Sequence, residues 1–110
     1  MISFDQHWVG EHSPEWFSAR GPLARAVVEE MRQAGILVFA GGLEEELHLA
    51  FHAHPDEVAP GIHSGPYQER EDFLGGMTII EVAELREAKM WTQKVADACG
   101  WPQELRIFKP

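Results

Sequence analysis

The stretch GGMTIIEVAELREAKMWTQKVADACG, Gly75 to Gly100, decides the fold. Its first part, Gly75 to Val82, is a short apolar run rich in β-branched residues, which predicts a strand. Its second part, Glu84 to Ala98, sets Leu85, Ala88, Thr92, Val95 and Cys99 near one face of a helix, with Gly100 as its stop. A strand leading into an amphipathic helix is half of a split βαβ arrangement.

The matching half lies upstream. Ile2 to Trp8 predicts a first strand, with Ile2, Phe4 and Gln6 on one face and Ser3, Asp5 and His7 on the other. Ser13-Pro14 predicts a short helix start, Ser as cap and Pro in the first turn. Gly21-Pro22 interrupts it, so the main helix is expected from Pro22 to Ala34, with Leu23, Val27, Met31 and Ala34 at helical spacing and Gly35 ending it. Ile36 to Ala40, ILVFA, fits a strand covered on both faces. Gly41-Gly42 marks a bend or a close backbone approach. Leu47 to Ala53 is expected as a strand, PDEVAPG as a connection and Ile62 to Tyr67 as an extended return. Leu105 to Phe108 closes the chain as a last strand.

The order strand, helix, strand, hairpin insertion, strand, helix, strand predicts one α+β domain over residues 1–110. Its expected architecture is a ferredoxin-like split βαβ antiparallel sheet with two helices on one face. Two helices cover only one face of such a sheet. Yet Val38 and Phe39 in one strand, and Met77, Ile79 and Ile80 in another, put apolar groups on both. The uncovered patch implies an interface, and a homodimer with facing sheets is the simplest closure. The space enclosed between the sheets is the expected place for a small-molecule ligand.

Composition narrows the function classes. The 110 residues are 45% hydrophobic, with four Trp and six Phe, enough for one core. Eighteen acidic residues against nine basic give a net charge of −9, which opposes binding to nucleic acid and to anionic membranes. The run Glu44-Glu45-Glu46 reads as a solvated turn. No apolar run approaches the roughly 20 residues of a membrane span. MISFDQHWVG lacks the basic and apolar regions of a signal peptide, so a cytoplasmic location is expected. Cys99, the only cysteine, forms no internal disulfide and no Cys-based zinc site. No cofactor is expected.

LHLAFHAH, Leu47 to His54, carries three of the six histidines. In an extended strand, His48, Ala50, His52 and His54 share one face. With PDEVAPG as a hairpin loop, His54 falls opposite His63 and His52 lies one same-face step away. His52, His54, His63 and Tyr67 are therefore the candidate ligand-pocket residues. No metal site is assigned, since no recognised ligand spacing occurs; were a metal bound, His52, His54 and His63 would hold it, with Asp56 or Glu57 as alternative third ligands. The catalytic candidates are Asp5 and His7, a carboxylate and an imidazole on one strand face, with His12 as an alternative base.

The segment HSGPYQEREDFLGGMTIIEVAELREAKMWTQKVADA resembles the YCII-related, DGPF-type proteins. The resemblance rests on Gly65-Pro66-Tyr67-Gln68-Glu69, on Leu74-Gly75-Gly76, on Glu81, and on Leu85, Ala88 and Trp91. QAGILVFAGGL and LRIFKP are similar to that family's second and last strands. The resemblance implies a dimeric α+β barrel, whose relatives include muconolactone isomerase-like and monooxygenase-like enzymes, and DGPF proteins often accompany alternative sigma factors. Two departures bear on function: Ser64 stands in place of the family's Asp, and Tyr67 in place of its Phe. The His–Asp pair of the YCII branch has no counterpart, because Pro22 or Leu23 occupies the helix position and no Asp-Pro-Tyr segment follows. Two readings result. One is a homodimeric small-molecule-binding or regulatory module. The other is a small isomerase-, lyase-, dehalogenase- or monooxygenase-like enzyme using a pocket histidine as general base, with or without a metal.

Overall fold

The computed structural model describes residues 1–110. Strands β1 (Ile2–Asp5), β2 (Leu37–Gly42), β5 (Leu74–Ile80) and β6 (Glu104–Leu105) form one antiparallel sheet in the order β2-β5-β1-β6. Helices α1 (Pro14–Gln33) and α2 (Leu85–Cys99) link its halves, and β3 (Phe51–Ala53) pairs with β4 (Ile62–Ser64) in a separate two-stranded sheet. The chain is therefore a small α+β fold with the element order that the sequence predicts.

Helix α1 is longer than expected. It is one continuous element across Gly21-Pro22, where the sequence predicts a break. Trp16, Arg20, Ala24, Val27 and Met31 explain it: spaced four, four, three and four apart, all are at least partly buried and form a single stripe. Packing of that stripe outweighs the roughly 3 kcal/mol cost of an interior proline. The start is as predicted, with Ser13 Oγ accepting from the Trp16 backbone N–H at 3.1 Å. Helix α2 begins in a capping box, where the Glu84 and Glu87 side chains each accept from the other's backbone N–H, and ends at Gly100 in the left-handed conformation.

Both helices pack on the sheet face that carries Ile2. The core holds Ile2, Val27, Met31, Val95 and Ala98, flanked by Ile36, Leu37, Ile80, Trp91, Cys99 and Leu105. Residues alternate along a strand, so Ile79 and its partner Phe39 lie on the other, open face. Val38 is 61% and Phe39 53% exposed. The Gly75-Gly76 pair answers to Phe4. A Cβ at Gly75 would sit 2.6 Å from the Phe4 ring, and one at Gly76 would sit 2.9 Å from it. This close approach coincides with the register shift between Phe4 and Asp5.

Two other expectations are corrected and a third is narrowed. The first strand stops at Asp5 and turns into a 3-10 helix over Gln6–Val9. Leu47–Leu49 is likewise a 3-10 turn, capped by the Ala50 N–H on Leu47 O at 3.0 Å, so the strand begins only at Phe51. Of the two alternatives at Gly41-Gly42, the bend is absent, since both pair inside β2 with Met77 and Gly76, and the close approach is present, since a Cβ at Gly41 would sit 2.9 Å from the Phe39 ring.

Candidate functional site

The β3–β4 hairpin assembles the predicted pocket residues, in a register shifted from the expected one. His52, rather than His54, lies opposite His63, because Phe51 pairs with Ser64 and Ala53 with Ile62. His54 then follows one same-face step beyond. The ring centroids are 5.3 Å apart for His52–His63, 5.5 Å for His52–His54 and 5.9 Å for His54–His63. Tyr67 joins at 5.4 Å from His54 and 6.1 Å from His52. His48 is excluded from the group, since the 3-10 turn breaks the alternation; it is exposed and pairs with Glu46 at 3.4 Å.

Backbone carbonyls, rather than acids, orient these rings. His52 Nδ1 lies 2.9 Å from Gly65 O, and His63 Nε2 lies 3.4 Å from Ala59 O. A carbonyl only accepts, so each of these nitrogens carries its proton. No carboxylate forms an ion pair with His52, His54 or His63. The donor atoms of no three His, Cys, Asp or Glu side chains are arranged to hold a metal, and Asp56 and Glu57 lie in the exposed connection beyond β3. The principal recesses of the molecule are lined by other residues. The cluster is thus a polar face of a projecting hairpin.

The structure does not assemble the N-terminal candidates. Asp5 ends β1 while His7 sits exposed in the following 3-10 helix, so the shared strand face is lost and no ion pair joins them. His12 has a structural task. Its ring stacks on Trp16 with centroids 3.6 Å apart, and its Nε2 donates to Val9 O at 2.9 Å. That bond caps a carbonyl at the end of the 3-10 helix. Phe17 and Trp101 extend the aromatic group, Arg20 lies 5.0 Å over Trp16, and its Nη1 donates to Asp97 O at 3.0 Å, tying α1 to the end of α2.

A different site emerges between the helices and the sheet. A recess of about 180 Å³ is lined by Phe4 and Thr78 of the sheet, Val27 and Val28 of α1, Val95 and Cys99 of α2, and Gln103. Its wall is mainly apolar. Thr78 and Gln103 are its polar members, and Gln103 Nε2 is buried without a hydrogen-bond partner. Two residues before it, Trp101 Nε1 is also buried and unpartnered. Orphaned buried donors are uncommon in folded proteins, and each calls for a reason.

Burial pushes the Cys99 thiol above its ordinary range, and the Arg20 guanidinium offsets this only in part. The thiol is therefore a neutral wall group rather than an activated nucleophile. Sequence reasoning missed Gln103 because WPQELRIF offers no periodicity or spacing motif; the role becomes visible only when α1, α2 and β1 close over it. No protein-family model matches the chain, and no curated protein matches it.

Proposed function

We propose that the chain is a YCII-related module that binds a small molecule and works as a homodimer. The observation that carries the ligand-binding reading is the recess between the layers, mainly apolar and with Thr78 and the unpartnered amide of Gln103 among its lining residues. Such a site suits a compact, largely apolar molecule with one hydrogen-bond acceptor, whose oxygen would pair the orphaned N–H once the Gln103 side chain turns toward the recess. The strand order β2-β5-β1-β6, with β1 and β5 central, supports a ferredoxin-like split βαβ fold. The open apolar sheet face supports closure of two sheets into a dimeric α+β barrel. The catalytic reading has less support, since the hairpin histidines face no buried acid and line no principal recess.

Nitrogen-edited NMR with small probes tests the ligand reading. Cyclohexanone and benzaldehyde each present a ring and an acceptor oxygen; toluene presents a ring alone. The carbonyl probes should shift the side-chain amide signals of Gln103 at millimolar concentration, and toluene should leave them in place. A Gln103 amide that responds to none of the three would refute the reading.

A further inference from the structure

We infer that the β3–β4 hairpin is an arm that clasps a second copy of this chain through its Phe51/Ile62 face; this rests on the homodimer reading above. The arm pairs only with itself, as a two-stranded sheet separate from the main one. A hairpin of this kind is at best marginally stable alone in water. Its two faces differ. One carries His52, His54 and His63. The other carries Phe51, Ala53, Ile62 and Ser64, with no charged group. Phe51 is 70%, Ile62 72%, and Val58 in the connection 71% exposed.

The molecule's dimensions call for a cover. Its radius of gyration is 16.3 Å, where a compact chain of this length has about 13 Å. It exposes 7850 Å², while a folded monomer of 12.4 kDa exposes about 6,100 Å². The surplus of about 1,700 Å² exceeds the roughly 800 Å² that each partner contributes to a standard interface. The excess is what a projecting arm and an open sheet face together would leave uncovered.

The surplus area, rather than net charge, selects a second copy as the occupant. A chain carrying −9 repels its twin, so self-association requires surfaces free of charge. The arm face is one such surface, and Phe39 and Ile79 on the open sheet face form another. A two-fold axis lets both arms and both sheet faces be buried in one self-complementary interface. A basic partner protein would instead be drawn to the acidic surface, such as Glu44–Glu46.

Sedimentation velocity over about 1–100 μM, a range that spans ordinary subunit affinities, tests the arm. The wild type should be dimeric. The double variant Phe51→Glu/Ile62→Glu should dissociate about 100-fold more readily, as expected when two buried apolar anchors are lost. His54→Glu, on the opposite arm face, should leave the dissociation constant within about threefold of wild type, in the range of a rim position. As a second readout, a benzophenone on Ile62→Cys, in a Cys99→Ala background, should give an adduct of two chains on illumination. A dimeric wild type with an unaffected double variant and no adduct overturns the arm and leaves the homodimer standing. A wild type that is monomeric throughout overturns both.

Discussion

Gln103→Leu should stabilise the protein while removing its ability to hold an acceptor in the recess. Gln103 Nε2 is buried with no partner. A buried polar group left unpaired costs about 1–3 kcal/mol. Leucine has similar volume and no polar atom, and the recess wall that Gln103 shares is mainly apolar, with Phe4, Val27, Val28 and Val95 beside Thr78. Allowing for the lost hydration of the outer amide atom, the net gain should be about 1–2 kcal/mol. At roughly 2.1 cal/mol/K of unfolding entropy per residue, 110 residues convert this to about 4–9 °C in Tm. Urea unfolding and calorimetry at one fixed protein concentration read it, since association shifts both measurements. A loss of about 1 kcal/mol or more, the worth of an intact hydrogen bond, would show that the amide is satisfied and that the recess has no vacant donor. A gain in stability accompanied by a lost response to cyclohexanone is the trade expected of a binding group.

Two further substitutions probe the frame around the recess. Gly76→Ala should destabilise by about 1–3 kcal/mol in urea, the usual range for overpacking, because its Cβ would meet the Phe4 ring at 2.9 Å and Gly41 O at 3.1 Å; an unchanged midpoint would mean that Phe4 moves freely. Cys99 gives a pH dependence of definite sign. Its folded thiol is pushed up by burial, so above the unfolded value the unfolded chain loses its proton first and stability falls as pH rises. The contribution is complete below the unfolded pKa and is lost as pH climbs through the raised folded one. Cys99→Ala should flatten that alkaline decline in denaturation midpoints, and an identical slope in the variant would remove Cys99 as its source.

The legible parts of the fold were those in which local pattern and tertiary packing agree. Helix α2 was readable because Ala88, Val95 and Cys99 recur at helical spacing ahead of a Gly100 stop, and the structure uses all of them. Helix α1 was read too short because Gly21-Pro22 is a strong local breaker, whereas the stripe from Trp16 to Met31 acts only through contact with the sheet and α2. The two 3-10 turns were hidden for a similar reason. Alternation in ISFDQHW and LHLAFHAH is compatible with a strand throughout, and only the pairing partner decides where it stops. Among the site residues, His52, His54, His63 and Tyr67 were identified as a group, while Asp5 and His7 were separated by the turn at Gln6. A register shift of two residues decided which imidazole faces which.

The same reasoning accounts for how the chain divides its apolar residues. Only one sheet face is covered by helices, and the main cluster of fully buried side chains is confined to Ile2, Val27, Met31, Val95 and Ala98. Large apolar side chains gain most where a core takes them in. Instead Phe39, Phe51, Ile62, Ile107 and Phe108 are all more than half exposed, and they lie on β2, on the arm and on the C-terminal tail. Such groups are costly to leave in water, and their spread over three elements rules out one misplaced strand as the cause. The recess lies on the covered side, bounded by α1, α2 and the sheet, so its wall is supplied by one chain. The proposed ligand holding and the proposed self-association therefore draw on opposite faces of the same sheet, with β5 alternating Thr78 toward the recess and Ile79 toward the open side. A substitution at Phe39 should thus alter association without touching Gln103, which makes the two halves of the proposed function separable.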